Sequence, residues 1–109
     1  MEVIKKDNSV VINGKEIVFN HEVEKVLTFP KYCVVWLKYT PDYGNNVEAY
    51  DYEGNKVWNI SQVVKLGVPE AYTILFKETE TVFSALSYSG VEFYVDTTTD
   101  TVIDQKIRK

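Results

Sequence analysis

Two pairs of carboxylates stand out as a chemical resource in this chain. Asp51 and Glu53 flank one short turn, and Asp96 and Asp100 flank a second, 45 residues further on. Paired carboxylates can do general acid–base work or hold Mg2+ or Ca2+ when burial or mutual repulsion tunes them. The run Asp51-Tyr52-Glu53-Gly54-Asn55 lacks the spacing of a calcium loop, in which glycine follows Asp or Asn at alternate positions. Asp and Asn in β-turns commonly hydrogen-bond their own backbone, and that turn-forming role is the expected one here. A metal-dependent hydrolase built on Asp51 and Asp96 is the catalytic alternative.

The other familiar parts of an active site are sparse. His21 is the only histidine, so neither a histidine metal cluster nor a triad with a second base is expected. It lies in Asn20-His21-Glu22 and reads as a solvated loop residue. Cys33 is the only cysteine, which excludes an internal disulfide. Its setting, Tyr32-Cys33-Val34-Val35-Trp36-Leu37, is that of a small buried hydrophobe. Ser84, Ser87 and Ser89 have no Gly-x-Ser-x-Gly context, and the five glycines are scattered with no phosphate-cradling loop. The expectation is no catalytic residue, no metal and no cofactor.

Tyrosine is the remaining candidate for contact chemistry, with eight copies in 109 residues. In an extended strand at 47–52, Glu48, Tyr50 and Tyr52 alternate with Val47 and Ala49. In 91–95, Glu92 and Tyr94 alternate with Val91, Phe93 and Val95. The expectation is a shared face carrying Tyr50, Tyr52, Tyr94, Glu48 and Glu92, open for binding. Tyrosine on an exposed sheet is a favoured interface residue. The competing reading is cross-strand pairing on a solvated or covered sheet.

The elements that would position these residues read as strands almost throughout. Asn13-Gly14 between Ser9–Ile12 and Lys15–Phe19 is a strong hairpin signal of type I′. Residues 22–28 alternate, Phe29-Pro30-Lys31 turns the chain, and 32–39 is the most apolar run, expected to be a central strand covered on both faces. A loop follows at 40–46. Further strands are expected at 47–52, 56–60, 72–77, 81–87, 91–95 and 101–107. Between them Ser61 as N-cap, Gly67 as the residue after the helix and Pro69 beyond it predict one short helical turn near 61–67. The fold expected is a single all-β domain over 1–109, an antiparallel meander of nine or ten short strands forming a sandwich or open barrel.

Ala49-Tyr50-Asp51-Tyr52-Glu53-Gly54-Asn55-Lys56-Val57-Trp58 resembles the hairpin signature of quinoprotein-type β-propeller blades. Asp51, Gly54 and Trp58 match that signature in type and in Gly-to-Trp spacing. An echo at 91–107 keeps Asp96 but has Asp100 in place of the glycine and no tryptophan. The resemblance implies two propeller-blade-like units, with Trp58 packed into the core. A closed propeller needs at least four blades, more than this length holds, and no quinone site carries over.

Charge and composition narrow the partners. With 12 Lys and Arg against 16 Asp and Glu, the net charge is −4, opposite to what phosphate-backbone binding requires. No apolar run reaches membrane-spanning length, and residues 1–7 lack the apolar stretch of a signal peptide. The expectation is a cytoplasmic protein with no nucleic-acid or membrane partner. Its leading function is a small non-enzymatic binding module, an immunity-type or accessory protein that meets a protein partner or itself through a β-sheet surface. The alternative is a small-ligand binder with a cavity lined by Trp36, Trp58, Phe76 and Phe83.

Overall fold

The computed structural model describes residues 2–40, 43–66 and 68–108. Eleven strands form three antiparallel sheets among these residues. The first holds β1 (Val3–Lys5), β2 (Ser9–Ile12) and β3 (Lys15–Val18). The second holds β4 (Val23–Thr28), β5 (Cys33–Leu37), β6 (Val47–Tyr50) and β7 (Lys56–Asn59). The third holds β8 (Tyr72–Lys77), β9 (Val82–Ser87), β10 (Val91–Asp96) and β11 (Thr101–Ile107). In each sheet, strands adjacent in sequence are adjacent in space.

The sheets stack as layers, with β4–β7 in the middle. On β5, Cys33, Val35 and Leu37 pack with Val10, Ile12 and Phe19 of the first layer. Val34, from the opposite face of the same strand, joins Leu75, Phe83, Ala85, Phe93 and Val95 of the third layer. Side chains alternate across a strand, so a strand covered on both faces must be apolar at every position. This is why the run is apolar without a break through Leu37, where the strand ends; Lys38 and Tyr39, expected in the same strand, lie beyond it and are exposed. Burying one Leu or Phe fully is worth about 2–3 kcal/mol relative to exposure, and both Leu75 and Phe83 reach that limit.

Turn chemistry matches the expected hairpins. Asn13 and Gly14 have φ of 48° and 88°, the pair of positive values a type I′ turn requires. Gly54 has φ of 85° in the turn where the Gly54 N–H donates to the Asp51 carbonyl at 3.0 Å. Trp58 is buried, as expected. The stretches around 46–60 and 91–107 hold corresponding places: each is the third strand, the following turn and the fourth strand of a four-stranded meander.

Two expectations change. The short β1 adds a strand, because Val3 pairs with Ile12 and Lys5 with Val10 although three residues are too few to show a periodicity. The helical turn is a single turn of 3-10 helix at Ile60–Gln62, capped by Asn59 rather than Ser61. The Asn59 carboxamide accepts from the Ser61 N–H while Gln62 reaches back to the Asn59 N–H, a closed capping box two residues earlier than the Ser61 signal suggested. Gly67, expected just past that turn, lies outside the described residues. Of the two arrangements expected, sandwich or open barrel, the sheets take the layered sandwich form.

Candidate functional site

Four of the five residues expected on one face form two separate Glu–Tyr pairs, and the fifth, Tyr52, stands apart from both. Glu48 Oε1 accepts from the Tyr50 hydroxyl at 3.0 Å, and its Oε2 accepts from Lys56 Nζ at 2.6 Å and Asn59 Nδ2 at 3.1 Å. Glu92 Oε1 accepts from the Tyr94 hydroxyl at 2.6 Å and from Arg108 Nη2 at 2.9 Å. The pairs correspond in the two meanders, but they point in opposite directions. The β4–β7 and β8–β11 sheets pack face to face, so outward positions on one look away from outward positions on the other. Tyr50 turns toward the β1–β3 layer and is buried there, while Tyr94 lies half-buried on the far side of β8–β11. Tyr52 sits in the turn after β6, where its hydroxyl donates to the Phe29 carbonyl and its own carbonyl accepts from Asn13 Nδ2 at 2.9 Å. The single open face is not formed.

The expected aromatic cavity does not form either. Trp58 and Phe83 stack at 6.0 Å inside the packed core, Phe76 is 55% exposed, and Trp36 is half-buried with Nε1 donating to the Tyr72 carbonyl at 3.0 Å. The turn carboxylates bind their own backbone. Asp51 Oδ1 accepts from the N–H groups of Asn55 at 2.9 Å and Glu53 at 3.0 Å, and the Asn55 bond leads in holding its carboxyl below the ordinary range. Asp96 is held down chiefly by the Thr98 hydroxyl, at 2.7 Å. Asp100 faces elsewhere, accepting from the Tyr32 hydroxyl and from Trp58 Nε1 at 3.3 Å.

A concavity lies at the opposite end of the sandwich from these turns. A cleft of about 540 Å3 is lined by Tyr39, Tyr43, Gly44, Pro69, Glu70 and Tyr88 with their neighbours. Three connections meet there: the one after β5, the one before β8 and the β9–β10 turn. Glu70 ties them together. Its carbonyl accepts from the Asn45 N–H at 2.8 Å, and its carboxylate accepts from the Ser89 N–H at 2.9 Å. A side chain at Gly44 would place its Cβ 3.3 Å from the Glu70 carbonyl, so the absence of one permits the close approach. Tyr39 and Tyr88 tilt toward each other with ring centres 6.0 Å apart, and Tyr88 is 70% exposed.

Two residues after the cleft-lining Gly44, Asn46 ties two of the sheets together. Fully buried, it donates to the carbonyls of Leu37 at 2.7 Å and Tyr72 at 2.9 Å, and accepts from the Tyr72 N–H at 2.8 Å. Its amide thereby stitches the end of β5 to the start of β8. Burial pushes the Tyr72 phenol up to about 12, with Glu70 adding to the effect.

Tyr43 is shared with a second, smaller pocket of about 280 Å3 lined by Phe19, His21, Glu48 and Tyr50. His21 stacks flat on Tyr43, ring centres 3.8 Å apart and planes 5° apart. Burial and then the Glu48 charge push the phenols of both Tyr43 and Tyr50 upward. Burial pulls Glu48 the other way from its bonds. The hydrogen bonds from Lys56, Asn59 and Tyr50 together outweigh it and hold the carboxyl below its usual value.

The family model described as Domain of unknown function (DUF7957) matches residues 1–107. The chain belongs to that family. Neither the curated proteins nor the solved structures contain a significant match to it. In this DUF7957 domain, Glu48 and Tyr50, expected on an open sheet face, line the smaller pocket, while Tyr39, Tyr43, Glu70 and Tyr88 were not among the expected site residues. Their signal was positional. Tyr43-Gly44, Pro69-Glu70 and Tyr88-Ser89-Gly90 place bulky or charged residues at turn punctuation, where nothing in the core calls for an aromatic ring.

Proposed function

We propose that this DUF7957 domain is a non-catalytic binding module that engages a protein partner through the Tyr39/Tyr43/Tyr88 cleft. The observation that carries this reading is the gathering of three tyrosine rings and the Glu70 carboxylate around one concavity held open by three connections. Tyrosine offers a large amphipathic contact area at little cost in side-chain entropy and is enriched where proteins meet. A partner's side chain entering the cleft meets the tyrosine residues and Glu70 that line it, in a protein of net charge −4. The chemistry suits a basic or amphipathic residue.

The titrations also favour binding over catalysis. A general acid or base works best with a pKa near the working pH. Here the shifted carboxylates, Glu48, Asp51, Glu92 and Asp96, all move down, while Cys33 and the shifted tyrosines move up. Each moves away from neutrality.

A photo-crosslinking residue in place of the exposed Tyr88 tests the reading in native host extract. The expected result is one dominant adduct that weakens when Tyr39→Ala or Tyr43→Ala is added. Diffuse labelling indifferent to both substitutions overturns it. The cleft volume also falls within the range of small-molecule sites. Trp36 and Tyr39 line an adjoining pocket, so a Trp fluorescence response to a sugar or apolar ligand, without a protein adduct, selects the small-ligand reading instead.

A further inference from the structure

The third sheet ends on β11, whose outer edge pairs with no other strand among the described residues. Arg108 N–H donates to the Gly90 carbonyl at 2.6 Å, and Tyr94 pairs with Asp104 and Glu92 with Lys106. In an antiparallel ladder, residues alternate between facing the neighbour strand and facing away. The backbone groups of 104, 106 and 108 therefore serve β10, while those of Gln105 and Ile107 point to the open edge. The Gln105 N–H confirms this phase, because its acceptor is the carboxylate of adjacent Asp104, at 2.9 Å. A bulge between Tyr94 and Val95 leaves Ile103 as an extra residue without a partner on β10. Ile103 and Ile107 are both large, apolar and exposed, at 56% and 73%.

The outward backbone groups of this long edge have no partner on another strand, the Gln105 N–H being held only by the neighbouring Asp104 side chain, and such an edge is a template for another strand. This edge is complementary to itself. When two copies run antiparallel with Gln105 on the two-fold axis, Gln105 meets Gln105 with both sets of outward groups in phase. Ile103 then faces Ile107 of the second copy, and Asp104 faces Lys106 of the second copy, each pair occurring twice by symmetry. Both apolar residues are covered, and both charges find a partner of opposite sign. Shifting the register by two residues in either direction loses the Asp104–Lys106 match.

We propose that β11 is a self-pairing edge through which two copies of this chain associate, with Gln105 at the dyad and Asp104 opposite Lys106. The joined sheets form one continuous eight-stranded layer. Lys106 Nζ already stands above the Tyr94 ring at 5.0 Å, on the face that Asp104 shares. The surface is separate from the tyrosine cleft and does not depend on its role.

Sedimentation equilibrium of the whole chain tests the proposal, run to about 0.5 mM because one added strand pair is a small, weak interface. The expected result is a monomer–dimer equilibrium. Gln105→Pro removes an N–H that β10 does not use, so the domain is expected to keep its circular dichroism and lose the dimer. Asp104→Lys places like charges opposite each other and is expected to weaken association by about tenfold. Adding Lys106→Asp to Asp104→Lys restores the opposite-sign match and is expected to restore the dimer. A monomer throughout the concentration range overturns the proposal, as does a dimer indifferent to Asp104→Lys. Failure of the double variant to recover association, with the single variant impaired, overturns the register. The charge-exchange series decides the matter even if Gln105→Pro fails to fold.

Discussion

Lys77 Nζ, on β8, donates to the carbonyl of Thr28, at the end of β4, at 2.6 Å. Lys25 of β4 reaches back toward the Leu75 carbonyl of β8 at 3.4 Å, so each edge strand lends a lysine to the other. The two ammonium groups also lie over aromatic rings, Lys77 over Phe29 at 4.9 Å and Lys25 over Phe76 at 5.5 Å. β4 and β8 are the facing edges of two sheets, and edge strands left bare invite pairing with other chains. The lysines close that side with charge, beside the exposed Ile74 and Phe76.

Replacing Lys77 by Met keeps the aliphatic stem and removes the donor and the charge. We expect a small loss of stability, about 0.5–1 kcal/mol for an exposed bond of this kind. The larger expected change is a rise in self-association on heating, read by light scattering. Urea unfolding gives the stability difference, and a variant that scatters no more than the parent removes the protective role assigned to Lys77.

Asn46 carries more weight than its size suggests. Asn46→Ala takes partners from the Leu37 carbonyl and the Tyr72 N–H in a site with no solvent access, whereas the Tyr72 carbonyl keeps Trp36. Each buried group left unpaired costs about 1–3 kcal/mol. The expected result is a drop in the urea midpoint corresponding to a few such units, with Trp36 fluorescence shifted because its own acceptor moves. Asn46→Asp keeps the acceptor for Tyr72 N–H but loses the donors and buries a charge, so we expect it to be no better than alanine. A midpoint unchanged in both variants contradicts the stitching role.

Much of this fold was legible because its signals are local. The Asn13-Gly14 turn and the Gly54 turn each follow from a few adjacent residues and took their expected form, and the apolar run is a strand covered on both faces over Cys33–Leu37, with Lys38 and Tyr39 exposed beyond it. The short β1 and the cap at Asn59 lay within reach of the same rules but below their resolving length. What stayed hidden depends on sheet stacking. Alternation places Tyr50 and Tyr94 on the outward side of their strands, yet only packing decides that the two outward sides face apart. Asp100 is another case. Its aspartate reads as a turn residue, and it does adopt φ of 56°, but its acceptor role toward Tyr32 and Trp58 spans 68 and 42 residues. The cleft is built from three connections that share no pattern, joined through Glu70.

Acid should loosen the middle sheet through Glu48. Its carboxyl is 13% exposed and its pKa is depressed below the ordinary value of 4.5, burial being outweighed by the Lys56, Asn59 and Tyr50 bonds. A folded-state pKa below the unfolded one means that the unfolded chain takes up the proton first as pH falls. The stabilisation is therefore complete above the unfolded pKa, and it declines from there as pH drops through the folded value. Urea midpoints measured from pH 7 to pH 3 are expected to hold steady and then fall below about 4.5. Glu48→Gln keeps an acceptor for Tyr50 and cannot titrate. It is expected to be less stable at pH 7, because the Lys56 charge loses its partner, and to lose less on acidification than the parent. Parallel pH profiles for the two proteins would assign the acid response to other carboxylates, Glu92 among them, and leave Glu48 a purely geometric role.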